Sequence, residues 1–387
     1  MMRSFILVFM LHWFMFAQGE LNVSDTILID HYCTDIQLIP FEFITAAKQN
    51  LVIAYGHTSH GSQLISGMGN LDDFMKNQGS PDGFFDFNSD GSNDALTLHD
   101  SPFQNAYDLG NPDFTSWASE TRVYLNNHPE VNVIMWSWCG QVSWASENDI
   151  DTYLQLMDNL ETDYPGVQFV YITGHLDGSG IEGTLHQNNN RIRNFCRVNG
   201  KILYDFADIE SFDPDGETNY MALLANDNCD YDSDSDGNQD SNWATNWQNN
   251  HTVNVDWYNC DAAHSQPLNG NLKAYAAWWL FAQLAGWKVQ TNSVDVIPLN
   301  GLNYPLKSWI SEGICHVELP LADDIFRIDI YNSTGQKQST VKRIDSPESS
   351  VISFDMNDCS LQQNQNLLFL HLKGTKNHYC SKLIVIQ

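Results

Sequence analysis

Residues 50–64 read NLVIAYGHTSHGSQL: an apolar run, Leu51 to Ala54, that stops on a turn of small hydroxyl and imidazole groups around Gly56 and Gly61. A run of this character predicts a strand buried on both faces of a sheet. Where such a strand ends on small residues, its next side chains leave the sheet and come within reach of solvent or a substrate. Three later runs look the same: VNVIMWSW at 131–138, VQFVYITG at 167–174 and KILYDFAD at 201–208. Between them Ile150, Tyr153, Leu154, Met157 and Leu160 recur at helical spacing, NNNRIRNFC at 188–196 predicts a second helix, and LKAYAAWWLFAQLAGW at 272–287 a closing one. Alternation of this kind predicts an α/β domain over residues 20–290, a parallel sheet with helices on both faces.

Such sheets bind ligands at the carboxyl ends of their strands. His57, Thr58, Ser59 and His60 follow the first run, Cys139, Gly140 and Gln141 the second, Gly174, His175 and Asp177 the third, and Asp205 and Asp208 close the fourth. So many polar groups on one edge point to a functional cleft. Just before the closing helix, CDAAHSQPLNG places Asp261 and His264 three residues apart. A turn brings that spacing onto one side, where a carboxylate orients an imidazole whose other nitrogen faces a nucleophile.

Ser59 after the first strand and Asp261-x-x-His264 near the end of the domain resemble the SGNH hydrolase superfamily. The resemblance implies a flavodoxin-like three-layer fold, with Ser59 as nucleophile, His264 as general base and Asp261 as its orienter. It also implies oxyanion donors: the N–H of Ser59, Gly110 in DLGNP, and Gln141 with Gly140 in WCGQ. Here Gly56-His57-Thr58-Ser59 replaces the family's Gly-Asp-Ser, and WCGQ its Asn-containing block, so the chain is similar to a divergent branch. The implied activity is a secreted serine esterase that removes acyl groups from a polysaccharide through an acyl-enzyme, with no cofactor required for catalysis. His57, His60, His175 and Trp138 are the expected substrate contacts. Two rivals remain: a non-catalytic glycan-binding surface protein, and a glycosidase using carboxylates such as Asp177 and Asp208.

The chain begins MMRSFILVFMLHWFMFAQGE, with Arg3, an apolar run from Phe5 to Phe16, and Ala17-Gln18-Gly19, the pattern of a signal peptide over 1–19. The expectation is an exported protein, secreted or at the cell surface, with no membrane span in the mature chain. Eighteen basic residues against 48 acidic ones give a formal charge of −30, which repels phosphate backbones and argues against nucleic acid as a partner. Eight cysteines in an oxidising compartment permit disulfides, and Cys229 with Cys260 is the favoured pair because they bracket an Asp-rich loop; buried thiols are the alternative.

That loop, DSDSDGNQD, offers Asp232, Asp234, Asp236 and Asp240 at the spacing of a calcium loop, and DFNSDGSND at 86–94 offers Asp86, Asn88, Asp90 and Asp94. Both lack the bidentate Glu, having Trp243 and Thr97 in its place, so structural Ca2+ competes with a solvated acidic turn. His57, His60 and His175 lack the spacing of a zinc site. Trp136, Trp138 and Trp144 read either as core or as a sugar-stacking platform.

After a linker at 291–302, short apolar runs from 303 to 387 predict a small β-sandwich. Tyr304-Pro305, ICHVELP, IYNSTGQ with Gly335-Gln336, and SKLIVIQ with Lys382 resemble the C-terminal sorting domain of the type IX secretion system, with Leu306-Lys307 in place of its usual Asn-Pro. That implies the type IX machinery as a partner. A carbohydrate-binding sandwich is the alternative.

Overall fold

The computed structural model describes residues 26–288 and, beyond them, seven strands between 308 and 384. The expected signal peptide and linker, and the Tyr304-Pro305 and Gly335-Gln336 positions, lie outside the described residues. The chain divides into two compact units, 1–287 and 288–387.

The first unit opens with β1 (Leu28–Ile29), α1 (Phe41–Asn50), β2 (Val52–Gly56) and α2 (Ser62–Asn77). Then come β3 (Phe87–Asn88), β4 (Leu96–Asp100), α3 (Ser116–Asn127), β5 (Val133–Trp136), α4 (Glu147–Asp163) and β6 (Gln168–Ile172). It continues through α5 (Thr184–Asn199), β7 (Ile202–Tyr204), α6 (Phe206–Ile209), β8 (Asp230–Tyr231), β9 (Ser241–Asn242), α7 (Trp243–Asn250) and α8 (Pro267–Leu284). Seven strands form one sheet in the order β1-β7-β6-β5-β2-β4-β3, and every neighbouring pair is parallel.

Strand side chains alternate between two cores, as a period of two requires. Ile53, Tyr55, Val133, Met135, Val170, Ile172 and Tyr204 pack with apolar residues of α1, α2 and α8. Ala54, Ile134, Trp136, Phe169, Tyr171 and Leu203 pack with those of α3, α4 and α5. The result is three layers. α4 starts on a capping box between Ser146 and Asp149, and α5 stops at Gly200, whose φ of 63° only glycine adopts without strain. α8 starts on Pro267 and is buried almost all round, which fits a helix at the centre of a layer.

KILYDFAD is not one strand. β7 ends at Tyr204, because the Asp205 carboxylate caps α6 by accepting from the Asp208 N–H at 3.3 Å.

The five strands β4-β2-β5-β6-β7 follow the 2-1-3-4-5 order of a flavodoxin-like sheet. α2 leaves β2 toward one face and α4 follows β5 on the other. The chain therefore departs in opposite directions from adjacent strand ends, which opens a crevice between them.

The second unit holds β10 (Ser308–Ser311), β11 (Ile314–Glu318), β12 (Ile325–Asn332), β13 (Lys337–Lys342), β14 (Val351–Asp355), β15 (Leu367–Gly374) and β16 (His378–Ile384). They form two antiparallel sheets, ordered β10-β11-β14 and β13-β12-β15-β16. Among the described residues no helix is long and apolar enough to cross a membrane.

Candidate active site

At the β2 end the first helical backbone bond runs from the Ser62 N–H to Thr58 O at 3.1 Å, so the turn of α2 begins at Thr58. Among the described residues the N–H groups of Ser59, His60 and Gly61, at the start of this turn, have no hydrogen-bond acceptor, and such a place favours negative charge. Gly61 is required there: a Cβ would lie 2.1 Å from Ser137 Oγ. Across the crevice, Cys139 follows β5. Its Sγ lies 3.7 Å from Ser59 Oγ and 3.5 Å from His60 Nδ1, while His60 Nε2 lies 2.9 Å from Asp227 Oδ2. Sulfur, imidazole and carboxylate thus form one chain of contacts.

Buried Asp108 ties the loops of this crevice together. Oδ2 accepts from Thr58 Oγ1 at 2.7 Å, and Oδ1 accepts from the Gly110 N–H at 2.9 Å and from Gln141 Nε2 at 3.0 Å. Gln141 Oε1 in turn accepts from the Cys139 N–H at 2.9 Å.

His60 is the middle of a stack. The His175 ring lies parallel to it with centroids 3.7 Å apart, and the His264 ring covers it from the other side at 4.6 Å. Burial alone would lower His60, but the hydrogen bonds to Asp227 and Cys139 outweigh it and raise it to about 9. The His60 hydrogen bond, working against burial and helped by Ser59 and Thr58, lowers the Cys139 thiol to about 7. Burial lowers His175, with the neighbouring His60 charge adding to it, so its ring is neutral near pH 7. His175 Nδ1 bonds Leu176 O at 2.7 Å, and its buried Nε2 has no hydrogen-bond partner among the described residues.

A buried ionic floor supports the stack. The Lys273 ammonium donates to Glu210 Oε2 at 2.6 Å and to Gln63 Oε1, and Glu210 Oε1 accepts from the Leu176 N–H beside His175. Gln63 Nε2 donates to Ala263 O at 2.5 Å, next to His264. His264 has a φ of 61°, a left-handed conformation that costs a non-glycine residue about 1–2 kcal/mol and recurs at functional sites.

The sequence-derived residues distribute as follows. Ser59, His60, His175, His264 and Gly140 are brought to the crevice. Asp261 and His264 are both exposed, and among the described residues no hydrogen bond joins them to each other or His264 to Ser59. The Gly110 N–H and the Gln141 amide are held by Asp108, so they hold loops together rather than standing open as oxyanion donors. His57 pairs with Asp100 at 2.6 Å, Nε2 to Oδ1. Trp138 is corrected to core: it is 2% exposed, and its N–H donates to Ile172 O at 3.0 Å, so it cannot touch a substrate. Trp136 is buried with it, whereas Trp144 is 65% exposed. Asp177 accepts from Ser179 within its own turn, and Asp208 pairs with His31.

The disulfide expectation is also corrected. Cys229 and Cys260 are free thiols, with contacts to Ser265 Oγ at 3.5 Å and Pro267 O at 3.4 Å. Burial pushes each up to about 12.

Three groups bring ligand atoms within 4.8 Å of one another: His60, Asp227 and His264; Asp30, His31 and Asp208; Asp232, Asp234 and Asp236. In the first, both His60 nitrogens are already engaged, Nε2 by Asp227 and Nδ1 by Cys139. In the third, Asp232 already accepts from the N–H groups of Ser235, Asp236 and Gly237, and Asp240 accepts from the Ser233 N–H. The 86–94 loop is spread by comparison, with Asp94 turned toward Lys48 at 3.9 Å.

Sequence reasoning missed Cys139 as a reactive group, Asp227 as the partner of His60, and Asp108. Cys139 carried a usable signal, a thiol immediately past a central strand. Asp227 carried none, since NDNCD reads as an ordinary turn.

No family model and no curated protein matches the chain. Among solved structures, an engineered protein is 10% identical over 69% of this chain and 51% of its own, at a TM-score of 0.18. The spore cortex lytic enzyme SleM of Clostridium perfringens is 12% identical over 73% of this chain and 89% of its own, at 0.16. An FMN-binding beta-glucuronidase from Facaelibacterium prausnitzii L2-6 is 12% identical over 87% and 56%, at 0.20. The chain spans about half the length of the first of these. At such TM-scores none bears on fold or function.

Proposed function

We propose that the first unit is a hydrolase that cleaves esters by nucleophilic acyl transfer, with His60 as its acid–base group and Asp227 orienting it. The observation that carries this reading is His60 itself, with Nε2 on a carboxylate and Nδ1 turned to a nucleophilic cluster at the β2–β5 crevice. A carboxylate on the imidazole keeps its ring orientation and stabilises its imidazolium form. The open N–H groups of the α2 turn are suited to the oxyanion.

This reading keeps the SGNH-type scaffold and the strand-end nucleophile, but transfers the base from His264 to His60. Exposed Trp144, in edge contact with Phe114 at 5.6 Å, and exposed Tyr107 offer ring faces to a polysaccharide ester. Export, and sorting by the second unit through type IX secretion, complete the proposal, and they rest on the chain's first 19 residues and its tail motifs.

The test is turnover by the purified protein of p-nitrophenyl acetate against a set of p-nitrophenyl glycosides. The expected result is ester cleavage with no glycoside cleavage. The reverse pattern would move the chemistry to paired carboxylates.

A further inference from the structure

Resting on that acyl-transfer reading, we propose that the nucleophile is the sulfur of Cys139, with Ser59 serving it as a hydrogen-bond donor. A serine alcohol becomes a nucleophile only when a base takes its proton. His60 Nδ1 faces sulfur at 3.5 Å, whereas the side-chain contact of Ser59 Oγ among the described residues is that same sulfur, at 3.7 Å. The imidazole therefore addresses Cys139 and not Ser59.

The other thiols of this unit make the contrast. Cys33, Cys196 and Cys229 are buried, and burial pushes them and Cys260 up. Cys139 is half-buried at the crevice mouth, beside a helix N-terminus, with its thiol lowered to about 7. These are the surroundings of a reactive cysteine.

His175 supplies an independent observation. Its side chain is more than nine-tenths buried, yet Nε2 has no partner, and a Cβ on Gly140 would lie 3.7 Å from that nitrogen. With Nδ1 bonded to the Leu176 carbonyl, Nε2 is an unmatched acceptor beside the residue that follows Cys139.

The chemistry balances without a co-reactant beyond water. The thiolate attacks the ester carbonyl, a C–S bond forms, and the C–O bond to the alcohol breaks as His60 gives its proton to the leaving oxygen. Water then attacks the thioester, its proton passes to His60, and the C–S bond breaks to return the thiolate and release the acid.

The experiment is acid quenching of the full chain during turnover of p-nitrophenyl acetate, followed by peptide mapping. The expected acetyl group is on the peptide holding Cys139, and neutral hydroxylamine removes it as it does thioesters. Iodoacetamide should abolish turnover by modifying Cys139 in the wild-type protein, at a rate that rises with pH through about 7. Cys139→Ala should lose about a thousandfold in kcat/KM, and Ser59→Ala about tenfold. Cys139→Ser, checked by circular dichroism for retained fold, should lose as much as Cys139→Ala.

Acetyl on Ser59, or turnover that survives Cys139→Ala, would overturn the inference and leave acyl transfer standing. Acetyl on neither residue, with no turnover, would overturn both.

Discussion

His60–Asp227 and His31–Asp208 are the same chemical pair on one sheet edge, Nε2 to Oδ2 at 2.9 Å beside β2 and β5, and Nδ1 to Oδ2 at 2.5 Å beside β1 and β7. They differ in what the second nitrogen meets. In His60 it faces the Cys139 sulfur. In His31 it is buried without a hydrogen-bond partner among the described residues, and the ring stacks on Phe212 at 3.7 Å. Around His31 the neighbours are structural: Arg193 holds Asp205 with two bonds of 2.6 and 2.7 Å, and Asp205 caps α6. An oriented imidazole becomes acid–base machinery only when its free nitrogen reaches a group that can exchange a proton. Among the described residues His31 has no such group.

The largest expected effect comes from removing the floor under one pair and not the other. Lys273→Met leaves the Glu210 carboxylate buried and unpaired, and breaking a buried pair costs about 3–5 kcal/mol. Denaturant unfolding should show that loss, with activity falling as His175 and His264 lose their support. Unchanged stability would mean that the Lys273–Glu210 pair does not hold the fold together.

A smaller effect is expected at the carboxylate of the pair itself. Asp227→Asn should lower kcat/KM about tenfold to a hundredfold with KM little changed, since an orienting group acts through the base. Asp208→Asn should leave kcat/KM within about threefold of wild type while lowering the unfolding midpoint. Equal kinetic losses in the two variants would erase the distinction between the pairs.

The His31 end should announce itself through pH instead. Burial, then the nearby Asp208 charge, raise Asp30 from 3.8 to about 7. A carboxyl raised in the folded state holds a proton that the unfolded chain has lost, so its contribution is complete below about 4 and disappears as pH rises through about 7. Asp30→Asn should therefore raise the melting temperature at pH 8 and change it little at pH 4. No gain at pH 8 would show that Asp30 is solvated as an ordinary carboxylate.

The smallest effect is calcium. Asp232, Asp234 and Asp236 draw together away from both pairs, and the cation should raise the melting temperature by a degree or so, about 0.3 kcal/mol, by binding the folded state. Asp234→Asn with Asp236→Asn should abolish the shift. A shift that persists would place the cation elsewhere.

Much of this architecture was legible because β2, β5, β6 and β7 are doubly buried runs of Val, Ile and aromatics, and the helices between them keep their spacing. β1 and β4 were not, because a two-residue strand and the polar LTLHD carry no apolar run; each is completed by pairing with a neighbour. At the site, His60, His175 and His264 were visible as chemistry beside strand and helix ends. Their stacking was not, since nothing in the spacing says that residues 60, 175 and 264 share one axis. The Asp-x-x-His pattern drew attention to Asp261, while the carboxylate on the central imidazole came from Asp227, in a loop with no pattern of its own.

The most direct measurement compares kcat/KM for p-nitrophenyl acetate in His60→Gln and His264→Gln, each with retained fold by circular dichroism. A base that exchanges the proton of the reacting group contributes about 10²–10⁴-fold, and His264 stacks on the face of that base. The account predicts a loss of about a thousandfold in His60→Gln and less than about tenfold in His264→Gln. The opposite ranking would contradict it and return the base to His264.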